Sequence, residues 1–203
     1  MTVLGMLTVV PLDPEMWKLI SYDGIRPNQI KKLDKSMEIQ VDSSAAPVVY
    51  KLKKPQKVTR VKFNALLEGK LKYGNKKAGA KGADDFPLRV GLVVKGDKKL
   101  GTLKKWIAPD WVIELYNLAP KGEGIDKIYF LNVTAYQVAE FEERRHPLSD
   151  LFIEKIVGKF ENSKVDIDYK LEKPLDVMAL WISSDGDDIK SSFQVKINSL
   201  EIL

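Results

Sequence analysis

The stretch KGADDFPLRVGLVVKG, Lys81 to Gly96, decides the fold class. Leu88, Val90, Leu92 and Val94 fall on one face of an extended chain, and Arg89, Gly91 and Val93 fall on the other. Pro87 restricts the residue before it and marks the strand start, while Gly96 marks its end. The period is two, so the element is a strand. The same alternation recurs at Met37–Val41, Val48–Leu52, Val61–Ala65, Ile128–Val133, Phe152–Val157, Val177–Ile182 and Phe193–Ile202. Trp111–Leu115 reads as a further strand. Helical spacing is scarce: 139–145 could form one short turn, and 166–171 is open between helix and strand.

About ten short strands separated by Gly, Pro, Asn and Asp predict an all-β fold, an antiparallel β-sandwich of jelly-roll type with short helical turns. The strand pairs Val48–Leu52 and Val58–Ala65 are expected to be neighbours. The Lys/Gly/Ala stretch at 74–82 reads as a mobile loop. No linker or internal repeat divides the 203 residues, so one domain spanning 1–203 is expected. A chain of this length buries roughly 70% of the surface its unfolded form exposes. Residues 1–16 read either as an N-terminal strand or as a signal-peptide remnant, and their apolar run is about half the length of a spanning helix.

Composition excludes several chemistries. There is no cysteine, hence no disulfide, thiol nucleophile or Cys-ligated zinc, and the single histidine, His146, excludes multi-histidine metal sites. His146 stands in the polar run Glu-Glu-Arg-Arg-His-Pro and reads as a solvated loop residue. Between Lys51 and Lys81 lie eleven bases, with Glu68 as the only acid. The bases are nearly all lysine and carry no nucleic-acid motif, so a solvated face or weak attraction to a polyanionic surface is expected, and nucleic acid is not.

Three constellations carry candidate chemistry. Asp84 and Asp85 precede Phe86-Pro87, and Arg89 follows on the strand face opposite Leu88 and Val90. An Arg fork there could clamp a carboxylate and pin the loop to the strand, or, with the acids, meet sugar hydroxyls. Trp181-Ile-Ser-Ser-Asp185-Gly-Asp187-Asp188 is a strand running into an acid-rich turn. Calcium is a candidate for such a turn, although the spacing is not that of an EF-hand loop. Four tryptophans, Trp17, Trp106, Trp111 and Trp181, could serve the core or stack on sugar rings. No nucleophile–base motif is present. Adjacent Asp84 and Asp85 point apart in extended backbone, so carboxylate-based glycoside hydrolysis would need a distant partner.

The run KGADDFPLRVGLVV, with Met178–Asp188 and the closing segment Phe193–Ile202, resembles the signature segments of bacterial domain-of-unknown-function family three-zero-four-seven. Val48–Leu52, Val61–Phe63 and Ile128–Val133 follow in the same order, without the tryptophan that the family's third strand carries. The resemblance implies a galactose-binding-like jelly roll, exported to the periplasm or beyond, with no activity attached. The combined expectation is a non-catalytic binding module of the bacterial envelope for carbohydrate or a glycan-bearing surface. Its candidate ligand-binding residues are Asp84, Asp85, Arg89, Trp181, Asp185 and Asp187. A carboxylate-based hydrolase, or an interaction domain with a basic face, is the alternative.

Overall fold

The computed structural model describes residues 7–101, 108–136, 143–147 and 149–203. The strands are β1 (Thr8–Val9), β2 (Lys18–Leu19), β3 (Gln29–Leu33), β4 (Ser36–Asp42), β5 (Val48–Lys70), β6 (Leu88–Gly96), β7 (Gly124–Thr134), β8 (Glu143–His146), β9 (Ser149–Lys159), β10 (Lys164–Ser183) and β11 (Ser192–Ile202). A single 3-10 turn at Pro14–Met16 and one short helix, α1 (Asp110–Tyr116), complete the described elements. The fold is all-β, and the eleven described strands join in one hydrogen-bonded sheet.

Hydrogen bonding runs in the order β3-β4-β11-β5-β10-β6-β7-β9-β8. The two longest strands, β5 and β10, belong to both halves. The first part of β10 pairs with β5 over Ala65 to Arg60, and its last part pairs with β5 near Val48–Tyr50 and with β6. The ladder between β5 and β10 breaks twice, between Lys170 and Leu175 and between Val177 and Ala179. Pro174 lies in the first break, and Pro55 lies opposite the second. Proline has no N–H to give a ladder, so both sit where the ladder is already interrupted.

Alternation places the core as the sequence predicts. Met37, Ile39 and Val41 of β4, Leu88, Val90, Leu92 and Val94 of β6, and Phe193, Val195 and Ile197 of β11 are buried in one cluster. Full burial of each such side chain contributes about 1.5–3 kcal/mol relative to exposure. The halves approach closely at Gly158 of β9, where a Cβ would lie 2.5 Å from Ile167 Cδ1 of β10. A second apolar cluster occupies the outer face of β6, β7 and the end of β10. There Val93, Ile128, Phe130, Met178 and Trp181 meet Leu115 and Leu118.

Several expectations need correction. Val48–Leu52 and Val58–Ala65 are not two paired strands but parts of the single strand β5. Trp111–Leu115 is helical, because Trp111, Leu115 and Leu118 at spacings of four and three cover the second cluster from one helix side. Residues 143–146 form a strand, and 137–142 lie outside the described residues. The 166–171 segment is strand. One pairing, β7 with β9, is parallel, so the sheet is not wholly antiparallel. The 74–82 stretch is a set of tight turns rather than an unanchored loop: Gly79 N donates to Ala83 O at 2.9 Å, and Ala78 packs with Tyr73, Ala83 and Phe86. Glycine is required at Gly79, whose φ is +83°. Trp106 lies outside the described residues.

The basic face is also less bare than the run of lysines suggests. Arg60 pairs with Asp168 of the neighbouring strand, its NH2 donating at 2.7 Å, and Lys62 Nζ lies 3.5 Å from the same carboxylate. The compensating acid comes from β10, about a hundred residues downstream of the basic run.

Candidate functional site

A cleft of about 560 Å³ opens on the outer face of β6, β7 and β10, beside α1. All six sequence-predicted residues, Asp84, Asp85, Arg89, Trp181, Asp185 and Asp187, line it. The local sequence explains the convergence. Antiparallel register sets Arg89 opposite Ser183 on one side and Asn132 on the other. The start of β6 and the end of β10 therefore meet, and the two acidic segments hang from neighbouring strand ends. Asp185 N donates to Phe86 O at 3.0 Å, which fixes one segment to the other.

Arg89 is the hub and is 7% exposed. Its Nε donates to Asp185 Oδ2 at 2.8 Å, its NH1 bonds Glu154, and its NH2 donates to the Asp84 backbone oxygen. The guanidinium also lies 4.5 Å from the centre of the Phe86 ring. Burial works against its charge, but Glu154, Asp185 and Asp84 outweigh burial and hold it protonated. Glu154 is fully buried on β9. It accepts from Asn132 Nδ2 at 3.1 Å and from Arg144 Nε at 2.7 Å as well as from Arg89.

Asp84 and Asp85 point apart, as extended backbone requires. Asp84 faces β8, where His146 Nε2 is 2.7 Å from its Oδ2 and Arg144 NH2 is 2.5 Å from its Oδ1. Burial alone would raise the Asp84 pKa, but His146, Arg89 and Arg144 outweigh it and hold the carboxyl below the usual range. Asp85 turns the other way and caps the acid-rich turn, accepting from Ile189 N at 2.8 Å and Asp188 N at 3.4 Å. Burial pushes the Asp85 carboxyl up to about 7, and the nearby Asp185, Asp187 and Asp188 add to the rise. Burial likewise pushes Asp185 up to about 6 against the pull of Arg89. The Asp187 carboxyl is raised by burial and by Asp188.

The apolar part of the cleft is built on the second core cluster. Gly91 permits it: a Cβ there would sit 2.8 Å from Phe130 Cε1, so the bare backbone lets Phe130 lie over the strand. Phe130 packs edge-on against Trp181 at 6.1 Å and against Phe152 at 5.5 Å. Trp181 is 1% exposed and acts as floor rather than as an open platform. The half-buried wall is Trp111, Tyr22 and Phe152, with Trp111 edge-on to Tyr22 at 5.7 Å. Ser183 shares the Trp181 side of β10, is 2% exposed, and its hydroxyl bonds no other described residue. The Tyr22 hydroxyl is likewise without a hydrogen-bond partner among the described residues.

Among the described residues, one trio of metal-ligand side chains, Asp84, His146 and Glu154, brings its donor atoms within 4.8 Å of one another. Arg89 and Arg144 already occupy its carboxylates, so a cation entering there would face two guanidinium charges. Asp185, Asp187 and Asp188, the turn considered for calcium, do not converge in this way.

The sequence does not single out Glu154, Arg144 or Ser183, and it places His146 in solvent, whereas the imidazole is half-buried against Asp84 and Phe152. A signal existed for Glu154, which shares a strand face with Phe152, an unusual place for an acid without a buried partner. No helix among the described residues is long and apolar enough to cross a membrane.

No family model matches the chain, and no curated protein sequence matches it. Solved structures similar to it include three carbohydrate-binding modules. One is a low-affinity xylan binding module of family 86 from Roseburia intestinalis, with 11% identity and a TM-score of 0.39, covering 98% of this chain and 96% of that one. Another is a family 29 carbohydrate binding module, with 8% identity and a TM-score of 0.39, covering 98% and 89%. A third is the family 11 carbohydrate-binding module from Clostridium thermocellum, in complex with a mixed-linked tetrasaccharide, with 10% identity and a TM-score of 0.41, covering 97% and 95%.

Proposed function

We propose that the protein is a non-catalytic binding module for carbohydrate and that the ligand lies in the cleft between Trp111 and the Asp185–Asp188 turn. The observation that carries this reading is the pairing of an aromatic wall with hydroxyls that have no partner among the described residues. Trp111, Tyr22 and Phe152 offer ring faces and edges, while Ser183 and Tyr22 offer hydroxyls with no hydrogen-bond partner among the described residues. Sugars need both, since one face of a pyranose is apolar and its rim is hydroxylated. Burial of Ser183 makes its open hydroxyl costly unless water or a ligand reaches it.

The carboxylates support binding over catalysis. Both Asp84 oxygens are engaged by Arg144 and His146, and both Asp85 oxygens by backbone amides. These acids hold the cleft in shape. The hydrolase reading has one observation in its favour: the neighbouring carboxyls have their pKa values pushed in opposite directions, the pattern of an acid and a base. A glycan-array screen with and without calcium tests the proposal, with reducing-end release as a second readout. Binding without product release supports it. Release that is abolished in Asp84→Asn favours the hydrolase.

Residence in the bacterial envelope is part of the same proposal and rests on the signature resemblance of Lys81–Val94. Fractionation of cells carrying the genomically encoded protein checks it, and a wholly cytoplasmic pool contradicts it.

A further inference from the structure

We infer that the cleft selects a saccharide carrying a free, positively charged amine, an amino sugar with its nitrogen unacylated. This rests on the carbohydrate reading above and names the substrate class of the same cleft.

The argument is one of charge left over. Of the two basic groups lining the cleft among the described residues, Arg89 engages Asp185, Glu154 and the Asp84 backbone with all three of its nitrogens, and His146 is turned onto Asp84. Among the described residues, no unengaged guanidinium fork lines the cleft to receive a uronate, sulfate or phosphate. The acids of the opposite rim are differently placed. Asp187 and Asp188 form no ion pair with any described residue, and Lys190 and Arg89 act on Asp187 only at a distance. Asp85, behind them, is held by backbone amides and not by a cation. The mutual repulsion of these carboxyls is relieved by one cation entering between them.

A second, independent observation points to a ligand at this place. The Ser183 hydroxyl is 2% exposed, lines the cleft and has no bonding partner among the described residues. It stands in register with Arg89, at the floor beneath the acidic rim. Trp111, Tyr22, Asp187 and Ser183 line the same cleft. The rim acids do not belong to the trio whose donor atoms fall within 4.8 Å of one another. An ammonium also gains from the electron-rich faces of Trp111 and Tyr22 where it passes them.

The test is calorimetric titration of the whole chain with four short oligosaccharides of equal length: glucosamine, N-acetylglucosamine, glucose and galacturonate. The glucosamine oligomer should bind about tenfold more tightly than the glucose oligomer, and the galacturonate oligomer most weakly. The advantage should shrink as salt rises. In Asp187→Asn, and more fully in Asp187→Asn/Asp188→Asn, the ratio of glucosamine-oligomer to glucose-oligomer affinity should fall to about twofold. A circular-dichroism melt confirms that each variant is folded, and the single variant serves if the double one is not. Equal binding of the amine and neutral oligomers overturns the charge inference and leaves the carbohydrate reading standing. So does tighter binding of galacturonate, or an amine preference that survives both variants. Failure of all four oligomers to bind overturns the carbohydrate reading, and the inference with it. Calcium binding that displaces the amine oligomer without a metal-free preference also overturns it.

Discussion

Arg89 and Asp185 meet at 2.8 Å although 96 residues separate them. The pair joins the entrance of β6 to the exit of β10, and Glu154 from β9 bonds the far side of the same guanidinium. β6 and β10 already meet in register at these ends, and the guanidinium ties to them β9, which pairs with neither. The cleft owes its shape to that tie.

Removing the hub should therefore cost more than removing a surface ion pair. Arg89→Met leaves Asp185 buried without its cation and Glu154 with Arg144 alone, and the expected loss is about 3–5 kcal/mol of unfolding free energy. Arg89→Lys should restore only part, because a single ammonium cannot reach three acceptors in a fixed plane. Urea unfolding monitored by tryptophan fluorescence gives both values. A loss below about 1 kcal/mol, the range of an exposed pair, would contradict the hub role.

Asp85 gives the protein a pH dependence of definite sign. Its carboxyl is pushed up to about 7 in the folded chain, from about 3.9 when unfolded. Between these values the native state holds a proton that the unfolded state has released. The Asp85 contribution is complete below pH 4 and is lost as pH rises through 7. Asp185, pushed up to about 6, acts in the same direction. Asp84, held below the usual range, acts in the opposite one: its contribution is present above that range and is lost on acidification. Asp85→Asn should thus flatten the stability curve between pH 5 and 8 relative to the parent chain. Parallel curves for the two proteins would contradict the assignment.

Gly91 tests the floor of the cleft. A methyl group there meets Phe130 at 2.8 Å, so Gly91→Ala should cost about 1–3 kcal/mol and displace Phe130 toward the ligand space. Ligand affinity should fall with stability in this variant. Trp111→Ala, on the half-buried wall, should instead cut carbohydrate affinity about tenfold with a smaller effect on stability. Calorimetry and thermal melts on the two variants separate floor from wall.

The legible part of the fold was the part whose information is local. β6 announces itself through strict alternation between Pro87 and Gly96, and the burial of Leu88, Val90, Leu92 and Val94 follows. The Arg89 partnership was legible for a related reason: a cation on a strand face, beside two acids, needs a counter-charge when buried. Helix α1 was misread because Trp, Val and Ile favour strands, while the spacing of Trp111, Leu115 and Leu118 mattered more. β5 was divided because Pro55 and its lysines look like a turn, and nothing local reveals that β10 runs beside both parts. Glu154 and Arg144 escaped notice because their roles exist only once β8 and β9 are laid beside β7. The compensation of Arg60 and Lys62 by Asp168 depends in the same way on long-range register.

That compensation limits what the basic face can do. Lys51 and Lys53 are exposed, but Arg60 and Lys62 are partly neutralised. Retention on a heparin-type resin should be weak and should end at low salt, since exposed charges are screened beyond about 8–10 Å. Asp168→Asn should lengthen retention slightly. Strong retention at high salt that is lost in Lys51→Glu/Lys62→Glu would move the function to the basic face.

The most direct measurement is an amide-shift titration of the isotopically labelled chain with carbohydrate. If the cleft is the binding site, shifts should concentrate on Ser183, Asp185, Asp187 and the Trp111 indole and saturate together, and in Trp111→Ala the remaining shifts should need about tenfold more carbohydrate to saturate. Shifts that gather instead on Lys51 and Lys53, or a spectrum unchanged across the full panel of sugars, would contradict the account.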